Sequence, residues 1–466
     1  MLNVWFGLAL AAAPPSLDAE IRDLQAAAVP DRTAYALIES LTTEVGPRLA
    51  GSEAEARGRA WAVAKLKSLG FQNVRIETTP LEGWARGREK ARILSPFPQR
   101  LAVTALGHSQ PTPPEGIEAE VIRFETLTAL KEAPKDSLRG KIAFIDLAMP
   151  KTQDGSSYGA VVAIRSLGPS TAARKGAAAL LIRSVGTDQH RFPHTGMLRY
   201  ADDAPRIPSA AISAPDADQL GRIYAMGKTI RIRLDLQTRP LGARETGNVI
   251  GEIRGTTHPE EIILVGAHLD SWDLGTGAVD DGAGCGIVMA AAKLILSSAP
   301  RRPARTLRVV LFGAEEVGLI GAKAYAKAHA AELPLHRLAM ESDFGAQPVY
   351  RISGRVGDGG WPGVEAFRQS HLARLRIIPG ENGRAGGPDL YPLRGEVPIL
   401  GLDQDGRDYF DLHHTADDTL DKIDAASLSQ NVAAYASVMW WASETGVDLR
   451  TELEADEARA RPTPVR

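Results

Sequence analysis

The stretch that decides the fold is Ile262-Ile263-Leu264-Val265-Gly266-Ala267-His268-Leu269-Asp270, an apolar run that ends abruptly in an imidazole and a carboxylate. An apolar run without polar alternation is typical of a strand buried on both faces, as in the interior of a parallel sheet. Two further apolar runs, at 307–312 and 338–340, follow segments with helical spacing. This alternation predicts an open α/β sheet, in which functional side chains gather at the carboxyl ends of the strands.

The rest of the chain divides into segments with helical spacing and segments with strand-like runs. Helices are predicted at 31–41, with Asp31 as the N-cap, and at 53–69, 170–176, 282–298, 321–331 and 422–445. Strands are predicted at 73–78, 177–182, 248–253, 262–267, 307–312, 338–340 and 397–400. Between 116 and 240, short strand-like runs alternate with Gly/Pro-rich turns, which predicts a β-rich module inserted into a main domain of residues 17–115 and 241–449.

The composition excludes several classes of protein. The chain has 54 Lys+Arg against 57 Asp+Glu and a formal net charge of −3, without a long basic block, so we expect no nucleic-acid partner. Its one cysteine, Cys285, excludes an intramolecular disulfide and a thiolate-built zinc site, and is interpreted as a small core residue. No later segment is long and apolar enough to predict stable insertion into a membrane.

The two ends of the chain carry weaker signals. Residues 1–16 form a short apolar run that ends in small residues, which favours a signal peptide and export to the periplasm or the medium. The basic segment that usually opens such a peptide is missing, so a frayed apolar N-terminus is the alternative. Residues 450–466 are charged and contain prolines, and are interpreted as a tail.

Acidic and imidazole side chains follow each predicted strand of the main sheet. The groups are His268 and Asp270, Glu315 and Glu316, Glu341 and Asp343, the acidic turn Asp280-Asp281, and the late pair His413-His414. So many carboxylates at one sheet edge, with no neighbouring lysine, would repel each other unless their pKa values rose or a cation bound there. Imidazole and carboxylate together suit zinc, and carboxylates can bridge two ions of a hydrolytic centre.

Two local patterns indicate roles within such a centre. In the pair Glu315-Glu316, one carboxylate can serve as a general base while the next binds a metal ion. In the pattern His268-x-Asp270, the aspartate can accept the far N–H of the imidazole and so fix its tautomer.

These residues lie in an ordered set of motifs at 46–52, 266–273, 277–284, 312–321, 340–345 and 409–419. The set resembles the secreted co-catalytic zinc aminopeptidases, the family that includes glutamate carboxypeptidase II, and within it the plasma glutamate carboxypeptidases, also called carboxypeptidases Q. The resemblance implies a mixed β-sheet flanked by helices. It also implies that the insert is similar to the protease-associated domain of some members.

The resemblance further implies two Zn²⁺ per chain and a role for each motif residue. His268 and Asp343 would hold one ion, Glu316 and His414 the other, and Asp280 would bridge both. Glu315 would be the general base and Asp270 would orient His268. Asp280 is preferred to Asp281 because it is the first acidic residue before Gly-Ala-Gly, and His414 to His413 because it directly precedes Thr415.

Other side chains carry weaker expectations. Asp389, in the loop 386–389, is a candidate to meet a free substrate amine, with a simple turn as the alternative, and His413 is a second candidate for substrate binding. His190 and His194, in a loop of the insert, are expected to be solvated, with a reach into the cleft as the alternative. The directions of Arg384 and Arg394 cannot be assigned.

The function that these expectations favour is a dinuclear zinc exopeptidase that acts on short peptides with free termini, as a dipeptidase, aminopeptidase or carboxypeptidase. The insert is expected either to restrict access to the cleft or to help a homodimer form. The alternatives are an inactive receptor-like or binding protein on the same fold, and an enzyme similar to glutaminyl cyclases.

Overall fold

A computed structural model describes residues 16–384 and 386–453. The predicted signal segment apart from Ser16, and the tail beyond Leu453, lie outside the described residues. The strands, in chain order, are β1 (Gln72–Ala85), β2 (Glu89–Ser95), β3 (Gln99–Leu101), β4 (Val103–Ala105), β5 (Ile117–Phe124), β6 (Ile142–Ile145), β7 (Ala179–Arg183), β8 (Ser209–Ile212), β9 (Arg231–Leu236), β10 (Arg239–Ile253), β11 (His258–His268), β12 (Arg305–Phe312), β13 (His336–Glu341), β14 (Val349–Arg355), β15 (Ile378–Asn382) and β16 (Ile399–Gln404). The α-helices are α1 (Leu17–Ala28), α2 (Thr33–Glu44), α3 (Glu53–Ser68), α4 (Leu127–Glu132), α5 (Ser156–Val161), α6 (Ala163–Ser166), α7 (Gly168–Arg174), α8 (Ala214–Ala225), α9 (Ala283–Ser298), α10 (Ile320–Ala328), α11 (Trp361–Phe367), α12 (Tyr409–Leu412) and α13 (Ala425–Glu444).

The main sheet is mixed and is built around the apolar strand β11. Its strand order is β1-β10-β12-β11-β13-β16-β14-β15. Strand β11 runs parallel to β12 and β13, whereas β10 and β14 are antiparallel to their neighbours β12 and β16. Ile263 and Val265 pack into the core formed with α9 and α13, and Ile262 and Leu264 pack on the opposite face with α10. The predicted α/β class and the burial of this strand on both faces are confirmed.

Local capping explains where the helices of the main domain begin. The Ser52 hydroxyl accepts a hydrogen bond from the Glu55 N–H and opens α3, and the Asp424 carboxylate does the same for α13 through Ser427. Helix α13 therefore begins at Ala425, three residues after the predicted start at 422. The predicted N-cap Asp31 is wrong by one residue, because α2 begins at Thr33 after the N-cap Arg32; the Asp31 carboxylate still accepts the Thr33 N–H at 2.7 Å.

The second sheet has the order β3-β2-β9-β5-β6-β7-β8-β4 and spans residues 89–236. It includes strands upstream of the predicted boundary at 116, because β2 pairs with β9, β4 pairs with β8, and β3 pairs with β2. Its inner strands β5 to β8 are parallel; helices α4 to α7 lie between them in the chain, and α8 follows β8. The long antiparallel pair β1–β10 joins this second module to the main sheet. Across the described residues, every helix is too short or too polar to cross a bilayer.

Candidate active site

The parallel strands β11, β12 and β13 bring the predicted site residues to one edge of the main sheet. His268 is the last residue of β11 and is paired in register with Phe312, three residues before Glu315. Asp343 follows β13 by two residues. Since parallel strands end at the same edge, residues far apart in sequence become neighbours.

One cluster joins His268, Asp280 and Asp343. His268 Nε2 lies 3.0 Å from Asp280 Oδ1 and 3.4 Å from Asp343 Oδ1. All three side chains are at most 8% exposed. Their ligand-type atoms face one another closely enough to hold a single ion.

A second cluster shares Asp280 with the first. His414 Nε2 lies 2.9 Å from Glu316 Oε2 and 3.3 Å from Asp280 Oδ2. His413 Nε2 lies 3.7 Å from the same Oδ2, and its ring stacks on that of His414 with 3.4 Å between centroids. Asp280 thus directs one carboxylate oxygen to each cluster, which is the arrangement of a bridging ligand.

The neighbouring Asp281 has a different task. Its carboxylate accepts hydrogen bonds from the main-chain N–H groups of His268, at 3.0 Å, and Gly284, at 2.9 Å. The Asp418 carboxylate accepts the N–H groups of Val279 and Asp280 on the other side of the turn. The peptide bond between Asp280 and Asp281 is cis. With the turn held from both sides, Asp280 faces the two histidine clusters and Asp281 faces the backbone.

The orientation of His268 differs in one atom from the expectation. His268 Nδ1 donates to the main-chain carbonyl of Asp270 at 2.9 Å, whereas the carboxylate is 3.8 Å away. The chain curls after the strand end, so the carbonyl rather than the side chain meets the ring. The Asp270 carboxylate instead accepts the N–H of Glu315 at 3.0 Å.

Glu315 has the surroundings that suit a base. Among the described residues none donates a hydrogen bond to its carboxylate, which is only half-buried. Burial, followed by the charges of Asp343, Asp270 and Asp280, raises the pKa of Glu315 to about 8. A general base works best with a pKa near the operating pH.

The charge balance of the edge fits bound cations. Burial and the charges of Asp280 and Glu315 raise the pKa of Glu316, and burial and the neighbouring His413 lower the pKa of His414. Asp280 Oδ2 and Glu316 Oε1 are buried without a hydrogen-bond donor in the described part of the chain. Crowded carboxylates, neutral imidazole and unpartnered buried oxygens together fit a metal site.

Comparison with known proteins agrees with this geometry. Residues 248–439 match the family model described as Peptidase family M28. Carboxypeptidase Q of Bos taurus is 35% identical over 408 residues, which cover 87% of this chain and 84% of that protein. The chain belongs to peptidase family M28. The predicted peptidase class and the resemblance to carboxypeptidases Q are therefore confirmed.

Solved structures of M28 proteins share the architecture. A peptidase M28 precursor from Shewanella amazonensis is 49% identical and superposes with a TM-score of 0.91 over 93% of this chain and 98% of its own. A zinc aminopeptidase from Bacillus subtilis, 18% identical, has a TM-score of 0.61 over 91% of this chain and 98% of its own, which shows the shared fold alone.

Arg48, for which the sequence indicated no role, holds the backbone of this site in place. Arg48 is fully buried, and its guanidinium donates to the main-chain carbonyls of Leu269, Thr276 and Gly277. It thereby ties the turn after β11 to the turn that carries Asp280. The motif 46–52 was recognised, but nothing in the sequence indicates which distant carbonyls an arginine meets.

The structure shows the surroundings of the side chains for which the sequence supported weaker expectations. Asp389 is fully buried, and neither of its carboxylate oxygens has a hydrogen-bond partner among the described residues. Arg384 lies 3.6 Å from Asp154 of the second module, and Arg394 stacks over the Tyr391 ring. Burial raises the pKa of the Cys285 thiol to about 12, as suits a core residue.

The expectation for His194 is wrong. His190 is exposed, as predicted, but His194 is only 1% exposed and its ring contacts Asp188 and the His413 carbonyl, both at 2.7 Å. The flanking glycines and prolines suggested a solvated loop, whereas this loop packs between the two modules.

Proposed function

We propose that this M28 peptidase is a dinuclear zinc exopeptidase that hydrolyses short peptides with free termini. The observation that carries the proposal is the division of the Asp280 carboxylate between two clusters, with His268 and Asp343 on one side and Glu316 and His414 on the other. Zinc is the metal favoured by this mixture of imidazole and carboxylate ligands.

In this proposal each residue has one task in the reaction. Zinc, when bound, supplies a Lewis acid that polarises the scissile carbonyl and makes water more acidic. Glu315 takes the proton from the attacking water and passes it to the leaving amine. Asp270 fixes the position of Glu315 through its main-chain N–H and the orientation of His268 through its own carbonyl.

The surroundings of the site favour a small substrate. A cavity of about 260 Å³ lies beside Asp343 and is lined by Glu341, Phe344, Arg384 and, from the second module, Asp154. This volume is below the roughly 300–1,000 Å³ of common ligand pockets. We propose that Asp389, buried beside Glu341, attracts the free amine of the substrate, and that His413 contacts the peptide next to the metal ligands.

Turnover on a panel of dipeptides by the zinc-loaded protein tests this function. We expect hydrolysis of free dipeptides, a large loss of rate after N-acetylation, and two zinc ions per chain by elemental analysis. Activity on N-blocked but not free peptides would overturn the requirement for a free amine. Cyclisation of N-terminal glutamine without hydrolysis, or binding of dipeptides without turnover, would overturn the peptidase assignment in favour of a cyclase or a binding protein.

A further inference from the structure

A short segment of the second module reaches the second metal cluster. Residues 194–195 lie in the loop between β7 and β8 and run alongside His413 and His414. The Thr195 N–H donates to the carbonyl of His414 at 3.0 Å, and His194 Nδ1 donates to the carbonyl of His413 at 2.7 Å. The two bonds connect the second module to the main domain.

These bonds fix a backbone conformation that His414 would rarely adopt by itself. The φ angle of His414 is +63°, in the left-handed region that favours glycine. The two bonded carbonyls belong to the peptide planes on either side of the His414 Cα. Holding both planes defines the backbone at this residue, so the contact with the second module selects the left-handed conformation.

The same segment also determines which ring nitrogen of His414 faces the metal cluster. His414 Nδ1 lies 3.3 Å from the Thr195 carbonyl oxygen and somewhat farther, 3.5 Å, from the Arg165 guanidinium. Donation from Nδ1 to the nearer carbonyl leaves Nε2 unprotonated and directed at Glu316 and Asp280. A metal-ligating histidine is commonly oriented by such a second hydrogen bond.

The segment is itself held rigidly within the second module. The Asp188 carboxylate accepts from His194 Nε2 at 2.7 Å, and the Ser184 hydroxyl accepts from the His194 N–H at 2.9 Å. The side chains of Asp188 and His194 are at most 2% exposed. A Cβ atom at Gly186 would lie 2.2 Å from His194 Cε1, so the ring fills all the space there.

A second anchor connects the same segment to the main domain. The Arg86 guanidinium donates to the Thr195 hydroxyl at 3.0 Å and to both oxygens of Asp273 at 2.9 Å. Asp273 lies three residues after Asp270, in the loop that follows β11. The position of Thr195 is therefore fixed relative to both clusters.

We propose that Asp188, His194 and Thr195 are positioning residues through which the second module sets the affinity of the Asp280–Glu316–His414 site for its metal ion. The inference rests on the proposed dinuclear function. It assigns to the inserted module a direct share in building the metal site, through the backbone conformation and the tautomer of one ligand.

Zinc titration of the metal-free full-length protein against a competing chelator tests this inference. His194→Ala removes the bond to the His413 carbonyl, and we expect about a 10–100-fold weaker affinity for one zinc ion, the usual effect of removing such a partner. The affinity for the other ion should stay close to that of the wild type. The unfolding temperature of the metal-free protein should fall, because the buried Asp188 carboxylate loses its partner, so both affinities are measured at a temperature at which the variant is folded. His190→Ala, an exposed histidine of the same loop, is the matched control and should change neither affinity.

A milder pair of variants keeps the test decisive if His194→Ala does not fold. Asp188→Asn retains an oxygen that can accept from His194 and should preserve the affinity, whereas Asp188→Ala should weaken the same zinc ion. If His194→Ala or Asp188→Ala folds and binds both ions with wild-type affinity, the inference is overturned. A wild-type protein that binds fewer than two zinc ions would instead overturn the proposed function, and the inference with it.

Discussion

The two ends of the strands β11, β12 and β13 carry polar clusters of opposite character. At the amino-terminal end, the Glu261 carboxylate lies between the guanidinium groups of Arg305, at 2.6 Å, and Arg337. Next to it, Arg308 pairs with Glu252 at 2.8 Å and with Glu332 at 2.9 Å. Each of these carboxylates therefore has a fixed cationic partner.

At the carboxyl-terminal end the carboxylates have no such partners. The acidic side chains there are Asp270, Asp280, Asp281, Glu315, Glu316, Glu341, Asp343, Asp389 and Asp418. Their ion pairs within the described part of the chain are with histidines only. The buried Arg48 at this end donates to main-chain carbonyls instead.

The pKa values show what this difference means. Hydrogen bonds from Arg337 and Arg305 lower the pKa of Glu261 to about 2, although burial opposes the shift. Burial and the charge of Asp280 raise the pKa of Glu316. The partners of each carboxylate therefore decide whether its pKa falls or rises. The paired end stabilises the fold, whereas the other end crowds carboxylates whose ionised forms a bound cation would stabilise.

The largest expected effect comes from the unpartnered base. Glu315→Gln should lower kcat by about 10²–10⁴-fold, because the amide cannot accept the proton of the attacking water. The zinc content should stay at the wild-type value, since Glu315 is not among the proposed ligands. Steady-state kinetics measures kcat and elemental analysis measures the zinc content, with the exposed Glu39→Gln as the control. Full activity of Glu315→Gln would contradict the assignment of Glu315 as the base.

Removal of metal should destabilise the fold through the carboxyl-terminal cluster and not through the amino-terminal one. Chelation should lower the free energy of unfolding, by about 4 kcal/mol relative to zinc at 1,000 times its Kd, because only the folded chain brings the ligands together. Denaturant unfolding with and without chelator measures the change. The loss should be the same in Glu261→Gln as in the wild type, because the Glu261 carboxylate is paired with Arg305 and Arg337 and is not among the proposed ligands. If the loss disappears in this variant, metal binding involves the amino-terminal cluster and the proposed difference between the two ends is wrong.

A histidine at the amino-terminal end should make the free energy of unfolding depend on pH in the acidic range. Burial lowers the pKa of His336 to about 4 from 6.5, and its ring is neutral, donating to the Glu332 carbonyl and accepting from the Tyr325 hydroxyl. Between pH 6.5 and 4 the unfolded chain binds a proton that the folded chain does not. The free energy of unfolding therefore decreases as the pH is lowered through this range, by up to about 3 kcal/mol in total. His336→Gln should flatten this slope in denaturant titrations of the zinc-free protein, whereas the exposed His258→Gln should not.

The smallest expected effect concerns the arginine pairs themselves. Glu261→Gln should destabilise the fold by about 1–2 kcal/mol at pH 7, since two charge-assisted hydrogen bonds are weakened. Because the pKa of Glu261 is lowered in the folded state, this stabilisation is present above pH 4.5 and is lost as the pH falls towards 2. Equal stability of the variant and the wild type at pH 7 would show that these pairs contribute nothing, as many surface pairs do.

The sequence by itself determined the α/β class, the buried strands at 248–253, 262–267, 307–312 and 338–340, and the chemical types at the functional edge, but it indicated neither β14 nor β15. Apolar runs such as 262–267 are typical of strands buried on both faces, and the acidic and imidazole residues that follow them are local features of the sequence. The sequence did not show the extent of the second module, because β2 and β4 belong to it only through their pairing with the later strands β9 and β8.

Only the tertiary structure decided which atoms act. It gave Asp281 the main-chain N–H of His268, gave Asp270 a carbonyl contact in place of the expected carboxylate contact, and brought His194 from a distant loop to the backbone beside His414. Sequence spacing specifies residue types along the chain, whereas hydrogen-bond directions and a left-handed backbone depend on how the chain folds around each residue. The contact of His194 with the carbonyl of His413, 219 residues away, exists only after the two modules have packed together.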